Sequence, residues 1–190
     1  MALDLIVEQG SFLASAPELL DPNFMHTVVL MCGHTQQGAY GLILNRPSEI
    51  AVREALEAHE LLKQTALRMY VGGPVGLDAL QVLHRAPERI SGGVQIADEL
   101  WIGGDLDEIG RFALADPAAA AASVKLFVGY SGWGAGQLEN ELASGSWLPA
   151  PGSAARAFQG ETASLWRDVV RGLGPAFRAL ADEPPEPEWN

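Results

Sequence analysis

The chain has 190 residues, 48% hydrophobic and 19% charged, a composition that suits one globular domain with a sizeable core. Its 24 acids against 12 lysines and arginines leave a formal charge of −12, which repels a phosphate backbone and argues against direct nucleic-acid binding. A single cysteine excludes an internal disulfide, no apolar run nears the roughly 20 residues of a membrane span, and the acidic N-terminus is unlike a signal peptide, so a cytoplasmic protein is expected.

In chain order, residues 10–15 read as a short strand and residues 16–24 as a loop, because Pro17 and Pro22 forbid a continuing helix or central strand. Residues 26–33 and 40–45 are apolar and rich in branched side chains, which predicts two strands buried on both faces, paired as a hairpin with a loop of several residues. Residues 50–62 carry Val52, Ala55, Leu56 and Leu62 against Arg53, Glu54, Glu57 and Glu60, the pattern of a surface helix. Strands are expected at 69–71 and 80–84 around the Gly72-Gly-Pro-Val turn, and shorter ones at 94–96 and 100–102. Asp105 with Glu108 three residues later predicts a capped helix running to Ala115.

The run at 124–128 feeds Gly129, Gly132, Gly134 and Gly136, and Leu138 and Leu142 follow one helical turn apart. The spacing predicts strand, tight turn and helix, with glycines that take positive φ or admit a close backbone, and with Tyr130 and Trp133 packed inside the turn. Residues 150–152, after Ser146-Trp-Leu-Pro, read as loop, residues 161–173 as a docked helix, and residues 182–190, with three prolines and four acids, as an extended tail following a single domain over 1–181.

Three chemical readings of these blocks compete with packing. Gly129-Tyr-Ser-Gly-Trp resembles a nucleophile elbow around Ser131, but the required final glycine is Trp133, whose bulk would crowd the bend. A phosphate cradle at the same glycines lacks a base, since no lysine or arginine lies between Tyr130 and Arg156. Cys32 and His34, two apart on one strand, could join His84 around a metal, yet a lone buried cysteine more often packs as a small hydrophobe. No catalytic residue, metal or cofactor is assigned on these grounds. Asp21 and Asn45 suit turns that bond nearby backbone, and Arg46, placed to pair with Asp21, suits a ligand clamp.

Taken together, Asp21-Pro-Asn-Phe, Thr27-Val-Val-Leu, Gly38-Ala-Tyr-Gly-Leu-Ile-Leu-Asn-Arg-Pro, Gly72-Gly-Pro-Val, Val82-Leu-His and Gly129-Tyr-Ser-Gly-Trp-Gly-Ala-Gly-Gln-Leu-Glu resemble the ordered signature blocks of the YqgE/AlgH family. His26 departs from them, standing where arginine is usual. The resemblance implies an α+β fold, with a bifurcated, largely antiparallel sheet, a small barrel-like portion and helices packed around it. It also implies a regulatory role, with no established catalytic residue to carry over. Candidate ligand-binding positions are Asp21, Asn45, Arg46, His84, Tyr130, Trp133 and Gln137, and the acidic surface suits a basic protein partner, with a small ligand as the other class of partner.

Overall fold

The computed structural model describes residues 6–182, and among these nine strands form one sheet. They are β1 (Phe12–Ser15), β2 (Val28–Thr35), β3 (Gly38–Ile43), β4 (Met69–Val71), β5 (Val75–His84), β6 (Gly93–Ala97), β7 (Leu100–Gly103), β8 (Val124–Gly134) and β9 (Trp147–Ala150). The order is β6-β7-β5-β8-β3-β2-β1-β9, with β4 attached to β8 off that path. The fold is α+β: a large, mostly antiparallel sheet curled into a half-barrel, with helices alongside.

β8 is the longest strand and belongs to both halves of the sheet. Its first part lies between β4, which it pairs in parallel through Phe127 and Tyr70, and β5, which it pairs antiparallel through Lys125 and Leu83. Its last part pairs with β3, from Ser131 opposite Gly41 to Gly134 opposite Gly38. This is the fork in the sheet. It also corrects one expectation, since the glycine-rich stretch is strand through Gly134 and not a tight turn, and it places β4 and β5 on either side of β8.

The fork explains the glycines. The backbone of Gly72 and Gly73 crosses that of Gly129 and Tyr130 so closely that a Cβ on Gly72 would lie 2.4 Å from the Gly129 carbonyl oxygen, and one on Gly73 2.2 Å from the Tyr130 carbonyl carbon. Gly129 itself has φ +68, and its Cβ would meet the Gly73 carbonyl oxygen at 2.5 Å. Hydrogen bonds lock the crossing, from Gly72 N to the Val128 carbonyl (2.9 Å) and from Ile43 N to the Gly72 carbonyl (2.9 Å). The Gly72-Gly and Gly129-Tyr-Ser-Gly blocks are thus two sides of one junction.

Both faces of the sheet are buried, as the apolar runs predict. From β2, Leu30 and Cys32 face a core that includes Phe12, Leu42, Leu83 and Phe127, whereas Val29 and Met31 face another with Ile43, Trp133 and Trp147. A third core, with Leu126, Val82 and Met69, is covered by α2 (Leu106–Ala115) through Ile109 and Phe112. Asp105 caps α2 by accepting from Glu108 N at 2.9 Å, although the Glu108 carboxylate accepts from Ser91 N instead of closing a capping box.

Other expectations shift. The predicted helix at 50–62 shrinks to α1 (Val52–Ala55), followed by turns and a 3-10 turn at Leu62–Gln64. Leu61 here presses against α2 at Gly110, where a Cβ would lie 2.5 Å from that of Leu61, so docking overrides a short helix that lacks the length to hold itself. The hairpin loop between β2 and β3 is only Gln36-Gln37. The expected loop at 150–152 begins on the last residue of β9, a strand without a sequence expectation, which tolerates Pro149 because it is an edge strand pairing only with β1. The remaining helices are α3 (Pro117–Ala121), α4 (Gln137–Ala143), α5 (Ala154–Ala157), α6 (Leu165–Gly172) and α7 (Pro175–Asp182). α6 fulfils the expectation of a docked helix near the C-terminus, burying Leu165, Trp166, Val169 and Val170. Asp182, read as the start of the acidic tail, closes α7 and binds the Arg171 guanidinium, and residues 183–190 lie outside the described residues.

Candidate functional site

The loop before β2 and the end of β3 form one cluster. The Asp21 carboxylate accepts from Asn23 N at 2.8 Å, and the Arg46 guanidinium donates to the Asn23 carbonyl, so Asp21 and Arg46 meet through Asn23 and not as the expected direct pair. Burial lowers the guanidinium pKa and Asp21 opposes that. Asn45 Oδ1 accepts from Val28 N at 2.9 Å while its Nδ2 donates to the His26 carbonyl at 2.9 Å, which fastens the entry to β2. His26 holds φ +54 there, with its ring 4.5 Å from that of Trp166, and burial lowers its pKa.

Phe24 joins this loop to a second cluster. Its ring packs edge-on against Trp147 at 5.4 Å and stacks near Trp133 at 6.4 Å. Both indole N–H groups, of Trp133 and Trp147, donate to the same oxygen of Glu141 at 2.8 Å. Gln137 Nε2 donates to the other Glu141 oxygen at 2.9 Å, while Gln137 Oε1 accepts from Gly134 N at 3.1 Å. Glu141 is the hub that sequence reasoning missed; its only signal was its position one helical turn after Gln137.

Tyr130 and His84 stand apart from these. Tyr130 and Trp133 lie three positions apart on β8, an odd offset, so they project from opposite faces, and Tyr130 meets Tyr40 edge-on at 6.3 Å. His84 ends β5, fully buried and stacked near Trp101 at 6.1 Å. Its Nδ1 accepts from Ala86 N at 3.3 Å, its Nε2 has no partner among the described residues, and burial pushes its pKa down.

The groups weighed for chemistry are bound into the fold. Ser131 is fully buried, its Oγ donating to the Gly72 carbonyl at 3.1 Å across the backbone junction. Cys32 sits at a bulge in β2 among core side chains, and burial pushes its thiol up to about 12. His34 is held between Glu139 at 2.8 Å and the Val7 carbonyl at 2.9 Å, contacts that raise its pKa. Cys32, His34 and His84 make no metal-binding group among the described residues. Sequence reasoning also passed over Lys125 inside an apolar run: it is buried, 4.7 Å over the Tyr70 ring with Nζ unpartnered, and burial pushes its pKa down to about 8.

A profile of AlgH-like proteins matches residues 12–178, from the first residue of β1 into α7. The chain belongs to the AlgH-like family. UPF0301 proteins of Chlorobaculum tepidum and Chlorobium luteolum are 37% and 38% identical, the first over 97% of both chains and the second over 95% of this one and 94% of its own. The solution structure of the AlgH protein from Pseudomonas aeruginosa is similar with a TM-score of 0.71 and 30% identity, covering 97% of this chain and 98% of that one. A crystal structure of a Corynebacterium diphtheriae protein shares the fold, at a TM-score of 0.76 and 22% identity over 94% of each chain. Among the described residues of this AlgH-like chain, no helix is long and apolar enough to cross a membrane.

Proposed function

We propose that this AlgH-like chain is a cytoplasmic regulatory protein that works by binding a protein partner or a small ligand, catalyses no reaction of its own and does not contact DNA directly. One observation carries the reading: the hydroxyl of Ser131 in the glycine-rich block and the thiol of Cys32 on β2 are both consumed by the fold. Ser131 spends its proton on the Gly72 carbonyl, and Cys32 holds its proton up to about pH 12, so neither supplies the activated oxygen or thiolate that covalent chemistry needs. The competing reading, an enzyme or nucleotide binder around Asn45, Arg46, His84 and Tyr130, has less support, because Asn45 is engaged on both sides by backbone and His84 is fully buried.

The absence of direct DNA contact is tested by titrating promoter fragments in a gel-shift assay at roughly physiological salt, where a charge of −12 opposes the phosphate backbone. No saturable, competitor-resistant shift is expected. One at nanomolar protein overturns the proposal and makes the chain a DNA-binding regulator.

A further inference from the structure

Positive charge in this acidic chain gathers at one place outside the signature residues. Between the segment that follows β3 and the one that leads into β4 lies a cavity of about 700 Å3, within the roughly 300–1,000 Å3 range of small-molecule sites. Arg53, Lys63 and Arg68 line it, and Val52, Leu67 and Met69 give it a buried apolar floor. Three of the chain's 12 lysines and arginines therefore meet here, and Glu49 is the one acid among the lining residues. Lys63 Nζ is already held 2.8 Å from Glu60, whereas neither arginine has an ion pair among the described residues. An anion seated in the cavity would give the two arginines the ion pairs they lack among the described residues.

We propose that this cavity binds a small dianion of the phosphate-ester class whose organic portion rests on the apolar floor. Guanidinium forks match phosphate oxygens two at a time, which a compact ammonium does not, and two unpaired arginines call for more than one negative charge. The floor of Val52, Leu67 and Met69 separates such a ligand from bare inorganic phosphate, which has nothing to place there. The site rests on the reading of the chain as a binding protein and gives that reading a ligand class.

Adenosine 5′-monophosphate serves as probe, with adenosine and inorganic phosphate as its two halves, in an amide NMR titration of the full chain. The nucleotide should shift the amides of Val52, Leu67, Arg68 and Met69, and each half should bind at least about tenfold more weakly. Arg53→Glu and Arg68→Glu should each weaken binding about tenfold or more, while Arg178→Glu, an equal charge change at an exposed position of α7, should not. An unchanged urea midpoint in these surface variants ensures that a loss reads binding and not unfolding. Unmoved cavity amides at millimolar nucleotide, or wild-type affinity in both cavity variants, overturn the site. Nucleotide binding elsewhere on the chain also removes the cavity assignment while leaving the broader binding reading in place. Phosphate release from the nucleotide bound here would do the reverse, supporting the site and sinking the non-enzymatic reading.

Discussion

At the scale of single residues, Trp133 combines a buried ring with a hydrogen bond to Glu141, and its neighbours Gly132 and Gly134 have no side chains to fill the space it occupies. Trp133→Ala should therefore cost about 3–5 kcal/mol in urea unfolding. The glycines beside it separate cleanly. Gly129, at φ +68 and against the Gly73 carbonyl, should not accept valine without a loss of several kcal/mol, whereas Gly134 has no positive φ and meets nothing closer than Gln137 Oε1 at 4.0 Å, so Gly134→Val should stay near wild type. Reading the stretch as a turn had made Gly134 a sensitive position; its place on a strand removes the reason. Equal losses in the two valine variants would refute the junction. The histidines differ in sign. Burial lowers His84, which favours its neutral form in the folded chain, so its contribution is complete above the ordinary 6.5 and lost as pH falls below it. Glu139 and the Val7 carbonyl raise His34, so its contribution is complete below 6.5 and lost as pH rises through the folded value. An NMR titration of the imidazoles should find His34 above 6.5 and His84 below it, and the opposite order would discard both environments.

Elements were legible where local chemistry agrees with the tertiary structure. Asp105 announces α2 because a carboxylate before an apolar-periodic run satisfies an otherwise free amide, and Asp105→Ala should lower stability by about 1 kcal/mol, measured by urea unfolding. No change there would mean that another group takes over the Glu108 amide. The β2 and β3 runs were legible for a similar reason, since strands buried on both faces leave no polar alternation to misread. The segment 50–62 failed because its few apolar residues serve different contacts: Leu61 answers a glycine in α2, and no local pattern records that. β9 was not foreseen because a four-residue strand holding Pro149 carries no pattern of its own, and its tolerance of proline depends on an edge position that only the assembled sheet defines. The candidate residues do not gather in a single cleft, because face and distance across a forked sheet are not encoded in spacing along the chain. The cationic cavity left still less trace, since Arg53, Lys63 and Arg68 sit on separate segments that each read as ordinary solvated surface.

For the whole molecule, β8 makes the three cores one cooperative unit: Phe127 lies in one, Leu126 in the second and Trp133 in the third. Unfolding should then be a single transition, with the amides of Leu126, Phe127 and Val128 exchanging only through global opening. Hydrogen exchange that released the β3 side of β8 well before the β5 side would show two units instead. The same strand sets an order of events during synthesis. The β2–β3 hairpin and the β5-β7-β6 meander can close soon after they emerge, because their partners are near in sequence. β4 finds its strand partner only in β8, and β3 and β5 each keep an open edge until that strand arrives. A nascent chain halted before Val124 therefore carries open edges on β1, β3, β4 and β5, which makes it a template for pairing with another copy of itself; β8, with the glycines of residues 129–136, closes three of them, and β9 closes the β1 edge last.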